Sequence, residues 1–157
     1  RVGLDGRPFR CWKLRTMVPD AEARLRAHLA SDPAAAREWA QDYKLRNDPR
    51  VTRLGRVLRR TSLDELPQLW NVWKGEMSLV GPRPVPRGEL VEYAGSEWAY
   101  LMCRPGLTGV WQTGGRNAVS YAERVRMDVG YLLAAGPATD IAVILRTPLA
   151  VLKRTGI

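Results

Sequence analysis

Between Arg50 and Trp73 the apolar residues fall at helical spacing in two successive stretches. Val51, Leu54, Val57 and Leu58 share one face of the first, with Arg50, Arg53, Arg56, Arg59 and Arg60 around the others. Leu63, Leu66, Leu69, Trp70 and Trp73 carry the same period through the second, leaving Asp64, Glu65 and Gln68 off the apolar stripe. Gly75 closes that element. Nearer the N-terminus, Asp5-Gly6 suits a type I′ turn between residues 1–4 and 8–17 and predicts a small β-hairpin. Residues 17–30 leave room for a loop and a short helix. Ser31 or Asp32 caps the next helix, with Pro33 in its first turn, and Asn47-Asp48-Pro49 breaks the chain. Residues 81–88, GPRPVPRG, form a stiff irregular loop, because each proline fixes its own φ and biases its neighbour. Further helices are predicted over 89–101, 120–133 and 140–153, the last kinked at Pro148. A strand is predicted over 110–113, ending at Gly114-Gly115.

The 157 residues contain no repeat, low-complexity tract or linker, so one domain spanning 1–157 is expected, long enough for a hydrophobic core. The fold class predicted is a compact, helix-rich α+β domain with a small N-terminal β-hairpin. Lys and Arg outnumber Asp and Glu by 25 to 16, a net charge of +9 that implies an acidic partner: phosphates, nucleic acid or an anionic membrane surface. The excess is mostly Arg, which favours bidentate phosphate contacts. Cys11 and Cys103 lack metal-ligand spacing, which points to a reduced compartment and leaves a disulfide open. Together with a single histidine, His28, they weigh against a zinc site. No run approaches the roughly 18 apolar residues of a membrane-spanning helix, and there is no signal peptide.

The segment from Thr61 to Asn71, TSLDELPQLWN, places Asp64 and Glu65 side by side, and Arg83 follows in the next loop, locked between Pro82 and Pro84. A carboxylate pair beside fixed cations is what phosphoryl transfer needs: a nucleophile or metal ligand, with charge to neutralise phosphate oxygens. Ser62-x-x-Glu65 fits a capping box equally well, and Asp64 suits the positive end of that helix. The two roles are compatible, since a helix N-terminus also stabilises bound phosphate. Pro67 reads either as a kink or as the first-turn proline of a helix that starts there. Lys13 and Arg15 alternate with Trp12, Leu14 and Thr16, which makes one strand face cationic. Arg104 and Arg116 bracket GLTGVWQTGG, a loop whose backbone amides can approach a phosphate. The six tryptophans read as core or interfacial residues, with Trp70 and Trp73 suited to the lipid head-group level.

The segments KLRTM (13–17), DPRVTRLGRVLRRTSLDELPQLWNV (48–72), KGEMSLVGPRP (74–84), RPGLTGVWQTGGR (104–116) and the tail from Ser120 resemble, in that order, one known family. They are similar to the catalytic domain of the bacterial sugar transferases, monotopic phosphoglycosyl transferases that load a sugar phosphate onto a polyprenyl phosphate. The resemblance implies that Asp64 is the nucleophile, forming a phosphosugar-enzyme intermediate, and that Glu65 is catalytic and holds Mg²⁺. Arg83 is implied to contact the donor's diphosphate, Lys13 and Arg15 to wall the site, and Gln112 and Arg116 to meet uridine and sugar. Arg60, nearest the dyad in sequence, Arg104 and Asp128 complete the expected substrate-binding set; an ion pair with Arg124 is the structural alternative for Asp128. The implied partners are a UDP-sugar, undecaprenyl phosphate and an anionic membrane surface on which the amphipathic helices lie, with no nucleic acid. The implied reaction transfers a hexose 1-phosphate and releases UMP, the first membrane step of exopolysaccharide or glycoconjugate assembly. It would occur at the cytoplasmic face of the bacterial inner membrane. In the family a membrane-inserting segment lies just upstream, so a chain opening on Arg1 is expected to be a truncated form. The alternative is a non-catalytic basic module binding nucleic acid or anionic membrane, although the basic stretch lacks the aromatics or glycines common in nucleic-acid modules.

Overall fold

A computed structural model describes residues 1–42, 45–114 and 119–152 of the protein. Its elements, in order, are α1 (Ala21–Ser31), α2 (Pro33–Asp42), α3 (Arg53–Thr61), α4 (Gln68–Trp73), β1 (Ser78–Val80), α5 (Glu97–Leu101), β2 (Gly106–Thr108), α6 (Val110–Gly114), α7 (Tyr121–Leu133) and α8 (Pro137–Leu152). The result is a helix-rich α+β domain in which, among the described residues, β1 and β2 pair in parallel, Ser78 opposite Gly106 and Val80 opposite Thr108. Among the described residues no helix is long and apolar enough to cross a membrane.

Local backbone chemistry sets most boundaries. Asp32 Oδ1 accepts the amides of Ala34 (2.8 Å) and Ala35 (3.1 Å), so it, rather than Ser31, caps α2, with Pro33 first in the helix. The Thr52 hydroxyl accepts the Gly55 amide at 2.9 Å and caps α3. Ser62 takes a left-handed conformation (φ 57°) and terminates α3, so the capping box expected from Ser62 to Glu65 does not form. A 3₁₀ turn, Leu63–Glu65, follows, and α4 begins immediately after Pro67. Of the two readings of that proline, the helix start is the one realised. Gly75, at φ 74°, closes α4 as its position predicts.

The predicted hairpin is shorter than expected. Asp5 and Gly6 both have positive φ and make the turn, and Val2 and Pro8 form an antiparallel bridge. Beyond Phe9 the second arm is drawn elsewhere by better partners. The fully buried Asn71 accepts the Trp12 amide (3.1 Å) and donates to the Arg10 carbonyl (2.7 Å). The Leu14 amide donates to the Asp64 carbonyl at 2.9 Å, and Met17 bridges Val51. Residues 10–17 are therefore stitched onto α3 and α4. Farther along, the helix predicted over 89–101 splits into a 3₁₀ helix, Arg87–Tyr93, and α5, because Ala94 and Gly95 are both left-handed. The strand predicted over 110–113 is instead α6, with the Thr113 hydroxyl donating back to the Gly109 carbonyl (3.1 Å). Here the buried packing of Trp111 overrides the local preference.

The apolar stripes have the predicted period and face outward, as amphipathic helices suited to a membrane surface would, while the polar side packs against the protein. Asp64, Gln68 and Asn71 are 8%, 1% and 0% exposed, whereas Leu63, Leu66, Leu69, Trp70 and Trp73 are exposed, as are Leu54 and Val57 on α3. Trp70 and Trp73 stack with ring centroids 4.7 Å apart. The apolar core lies elsewhere: Val2, Val85, Tyr93, Tyr100 and Val125, flanked by Leu90, Leu101, Tyr121 and Val129. There the Tyr100 hydroxyl donates to the Val2 carbonyl (2.7 Å) and accepts the Val85 amide (3.1 Å), tying the first turn to the proline loop. Helix α8 covers the sheet, with Thr147 bonded to Thr108 (2.9 Å).

The sheet tolerates no side chain where its strands run into the proline loop. A Cβ at Gly106 would collide with the backbone nitrogen of Gly81 and the carbonyl of Thr108. Gly106→Ala is expected to destabilise the fold by about 3 kcal/mol, read from chemical denaturation.

Candidate active site

The stitching of residues 10–17 onto α3 and α4 brings distant side chains together. Because Leu14 is hydrogen-bonded to the backbone of Asp64, its neighbour Lys13 reaches the dyad: Nζ lies 2.6 Å from Glu65 Oε1. On the other side the proline loop leaving β1 presents Arg83, with one guanidinium nitrogen 3.9 Å from the same Glu65 oxygen. These residues line a cleft shared with Cys11, Gln68, Gln112 and the start of β2 at Gly106 and Leu107. Pro82 and Pro84 are buried while Arg83 is exposed, so the backbone is anchored and the guanidinium stays accessible.

Asp64 is buried beside Glu65. Burial raises its carboxyl above the ordinary carboxylate range, Lys13 opposes that rise, the adjacent Glu65 adds to it, and Arg59 again opposes it. Arg59 is held in place by its own bond, Nε to Thr16 Oγ1 at 3.0 Å. The arrangement is a desolvated carboxylate kept ionisable by two fixed cations, next to a second carboxylate on which two cations converge. Such a site can attract phosphate, neutralise its oxygens and present an oxygen nucleophile to it.

The donor set also suits a magnesium ion. Asp64 and Glu65 are adjacent carboxylates at the cleft, with Glu65 paired to Lys13. Mg²⁺ is commonly held by one or two carboxylates and substrate phosphates, keeping several waters.

A family model described as bacterial sugar transferase matches residues 1–154. The chain belongs to the bacterial sugar transferase family. It is 54% identical over 156 residues to the UDP-galactose-lipid carrier transferase of Erwinia amylovora, covering 99% of this chain and 33% of the relative. Identity to the undecaprenyl-phosphate galactose phosphotransferase of Salmonella typhimurium is 51% over the same length, again 99% and 33%. The UDP-glucose:undecaprenyl-phosphate glucose-1-phosphate transferase of Caulobacter vibrioides is 41% identical over 160 residues, covering 94% of this chain and 52% of that protein. The chain thus spans about a third of the length of the first two relatives.

Within this sugar transferase domain the cleft unites Lys13, Glu65, Arg83 and Gln112 of the expected site, with Asp64 buried against Lys13 and Glu65. It does not unite the rest. Arg15, Arg60 and Arg104 are exposed and line no part of the cleft; it is the backbone carbonyl of Arg104 that packs near Gly81. Asp128 lies away from the cleft: it is 3% exposed and accepts a 2.9 Å hydrogen bond from the Tyr93 hydroxyl. Arg124 lies over the Trp111 ring. Arg116 falls outside the described residues. Sequence reasoning missed Asn71, which positions the Lys13 segment, and did not single out Arg59, whose charge acts on Asp64. The missed signal was periodicity: Asn71 falls on the same polar side as Asp64 and Gln68.

Proposed function

We propose that this domain transfers a hexose 1-phosphate from a UDP-sugar to undecaprenyl phosphate at the cytoplasmic face of the bacterial inner membrane. The observation that carries the reading is the convergence of Lys13 and Arg83 on Glu65 beside the buried Asp64. The relatives' names supply the acceptor and the two sugars, galactose and glucose.

In the proposed mechanism an Asp64 carboxylate oxygen attacks the β-phosphorus of the donor. The bond from that phosphorus to the bridging oxygen breaks, and its electron pair leaves with UMP. An oxygen of the lipid phosphate then attacks the same phosphorus, the bond to Asp64 breaks, and the carboxylate is regenerated. Lys13 and Arg59 favour the ionised form of Asp64 for the first step, while Arg83 sits where its guanidinium can grip phosphoryl oxygens through two donors. Glu65 and Asp64 would hold Mg²⁺, which when bound neutralises charge on the diphosphate.

The outward apolar face supports the membrane part. Leu54, Val57, Leu63, Leu66, Leu69, Trp70 and Trp73 are exposed together, with Arg53, Arg56 and Arg60 exposed beside them. Apolar side chains and tryptophans rimmed by arginine suit the head-group boundary of an anionic bilayer. This would place the dyad close to its lipid acceptor.

UMP release from a panel of UDP-sugars, measured with undecaprenyl phosphate in detergent micelles, tests the reading. Release is expected with at least one donor and should stop when EDTA removes Mg²⁺. Equal release with EDTA present would refute the metal's part, and no release from any donor would refute the transfer.

A further inference from the structure

Gln68 lies in the wall of the same cleft and is 1% exposed. Its Nε2 is fully buried and has no hydrogen-bond partner in the protein. An amide donor taken out of water without a replacement bond is destabilising, and buried groups of this kind are rare. The next inward-facing polar residue of the same helix shows the usual outcome. Asn71 makes three bonds, to the Trp12 amide, the Arg10 carbonyl and Glu76. The orphaned donor of Gln68 therefore stands out on a face where burial otherwise comes with pairing.

Its surroundings say what would complete it. Arg1, Lys13 and Arg83 line the cleft with Gln68 against one carboxylate, Glu65, so the cations outnumber the anion and a ligand there is anionic. An unmet donor calls for an acceptor, and a phosphoryl oxygen only accepts.

We propose that Gln68 is a substrate-binding residue whose Nε2 donates to a phosphoryl oxygen held in the cleft. The proposal deepens the transfer reading and rests on it for the ligand's class. Lys13 and Arg83 supply the charge, and a buried neutral amide adds a further directional bond that fixes the phosphorus relative to Asp64. The phosphoryl group belongs to the donor's diphosphate or to the lipid's phosphate.

Gln68→Met keeps the length of the side chain and removes the amide. Binding is read by calorimetry with UDP, and separately with undecaprenyl phosphate in detergent micelles, alongside the ligand-free Tm. The ligand-free Tm should stay level or rise, because an unpaired buried donor is gone. Affinity for one of the two probes should fall roughly 10- to 100-fold, as for one lost bond to a charged acceptor. Weaker UDP binding assigns the contact to the donor, and weaker lipid binding assigns it to the acceptor. Gln68→Glu, of the same shape but bearing negative charge, should weaken the affected probe further. Unchanged affinity for both probes in either variant overturns the proposal. So does a fall of several degrees in the Tm of Gln68→Met, which would mean that the fold itself pairs the amide. If the unaltered domain binds UDP in a Gln68-dependent way but releases no UMP from any donor, the transfer reading fails and the contact stands.

Discussion

Asp64→Asn is expected to reduce turnover by on the order of a thousandfold or more without weakening the fold. The amide has nearly the shape of the carboxylate but cannot form the bond to phosphorus, so every route through an aspartyl intermediate is closed. The stability half follows from burial. Asp64 is 8% exposed, and its carboxyl is pushed above its ordinary value chiefly by desolvation. A group whose folded pKa is raised favours folding below its unfolded pKa, and that contribution is lost as pH rises through the folded value. Above the unfolded pKa the acid is thus a liability to the fold, and the neutral amide removes it. The expected pair of results is lost UMP release with a Tm equal to or above that of the unaltered domain. A large drop in Tm would make the activity loss uninformative about chemistry, and retained turnover would contradict the nucleophile role.

The second large effect concerns pH. Asp128 sits in the apolar core, where burial lifts its carboxyl from 3.8 to about 7 and the hydrogen bond from Tyr93 partly opposes the rise. Burial and the Asp128 charge also push the Tyr93 hydroxyl far above its ordinary range, so only the carboxyl titrates near neutrality. The folded value exceeds the unfolded one, so the contribution is complete below about pH 4 and is lost as pH rises towards about 7. A difference of about 3 units amounts to at most about 4 kcal/mol. Asp64 acts in the same direction. Carboxylates with lowered values, such as Asp48 beside Arg50 and Asp32 at its cap, lose their contribution only under more acid conditions. Stability measured by thermal unfolding is therefore expected to increase from about pH 8 to about pH 5, and Asp128→Asn should flatten most of that slope. An unchanged slope in the variant would show that Asp128 is ionised without strain in the fold.

What could be read from the sequence was local. The Asp5-Gly6 turn, the Asp32 cap and the Gly75 stop depend on backbone conformations that these residue types favour or uniquely tolerate, and each was legible in place. The period of the stretch from Leu63 to Trp73 was legible too, but what its polar side packs against was not. Spacing fixes which residues share a side, whereas the surroundings decide which side meets the protein, and here the polar side does. The polar side therefore carries Gln68 and Asn71 into the protein, and nearness in sequence singled out Arg60 while the charge of Arg59 acts on Asp64. The course of residues 10–17 was illegible for a related reason. Its partners, Asp64 and Asn71, lie some 50 or more residues away, and no local propensity competes with a buried asparagine that bonds three groups. At Asp128 a family position implied a substrate contact, and the fold places that carboxyl in the core beside Tyr93.

The most direct test of the central claim is the intact mass of the domain after incubation with Mg²⁺ and a UDP-sugar in the absence of lipid acceptor. The account predicts a mass increase equal to one hexose phosphate, present in the unaltered domain, absent in Asp64→Asn and discharged when undecaprenyl phosphate is added. UMP release at normal rates with no such adduct, or an adduct that persists in Asp64→Asn, would contradict it.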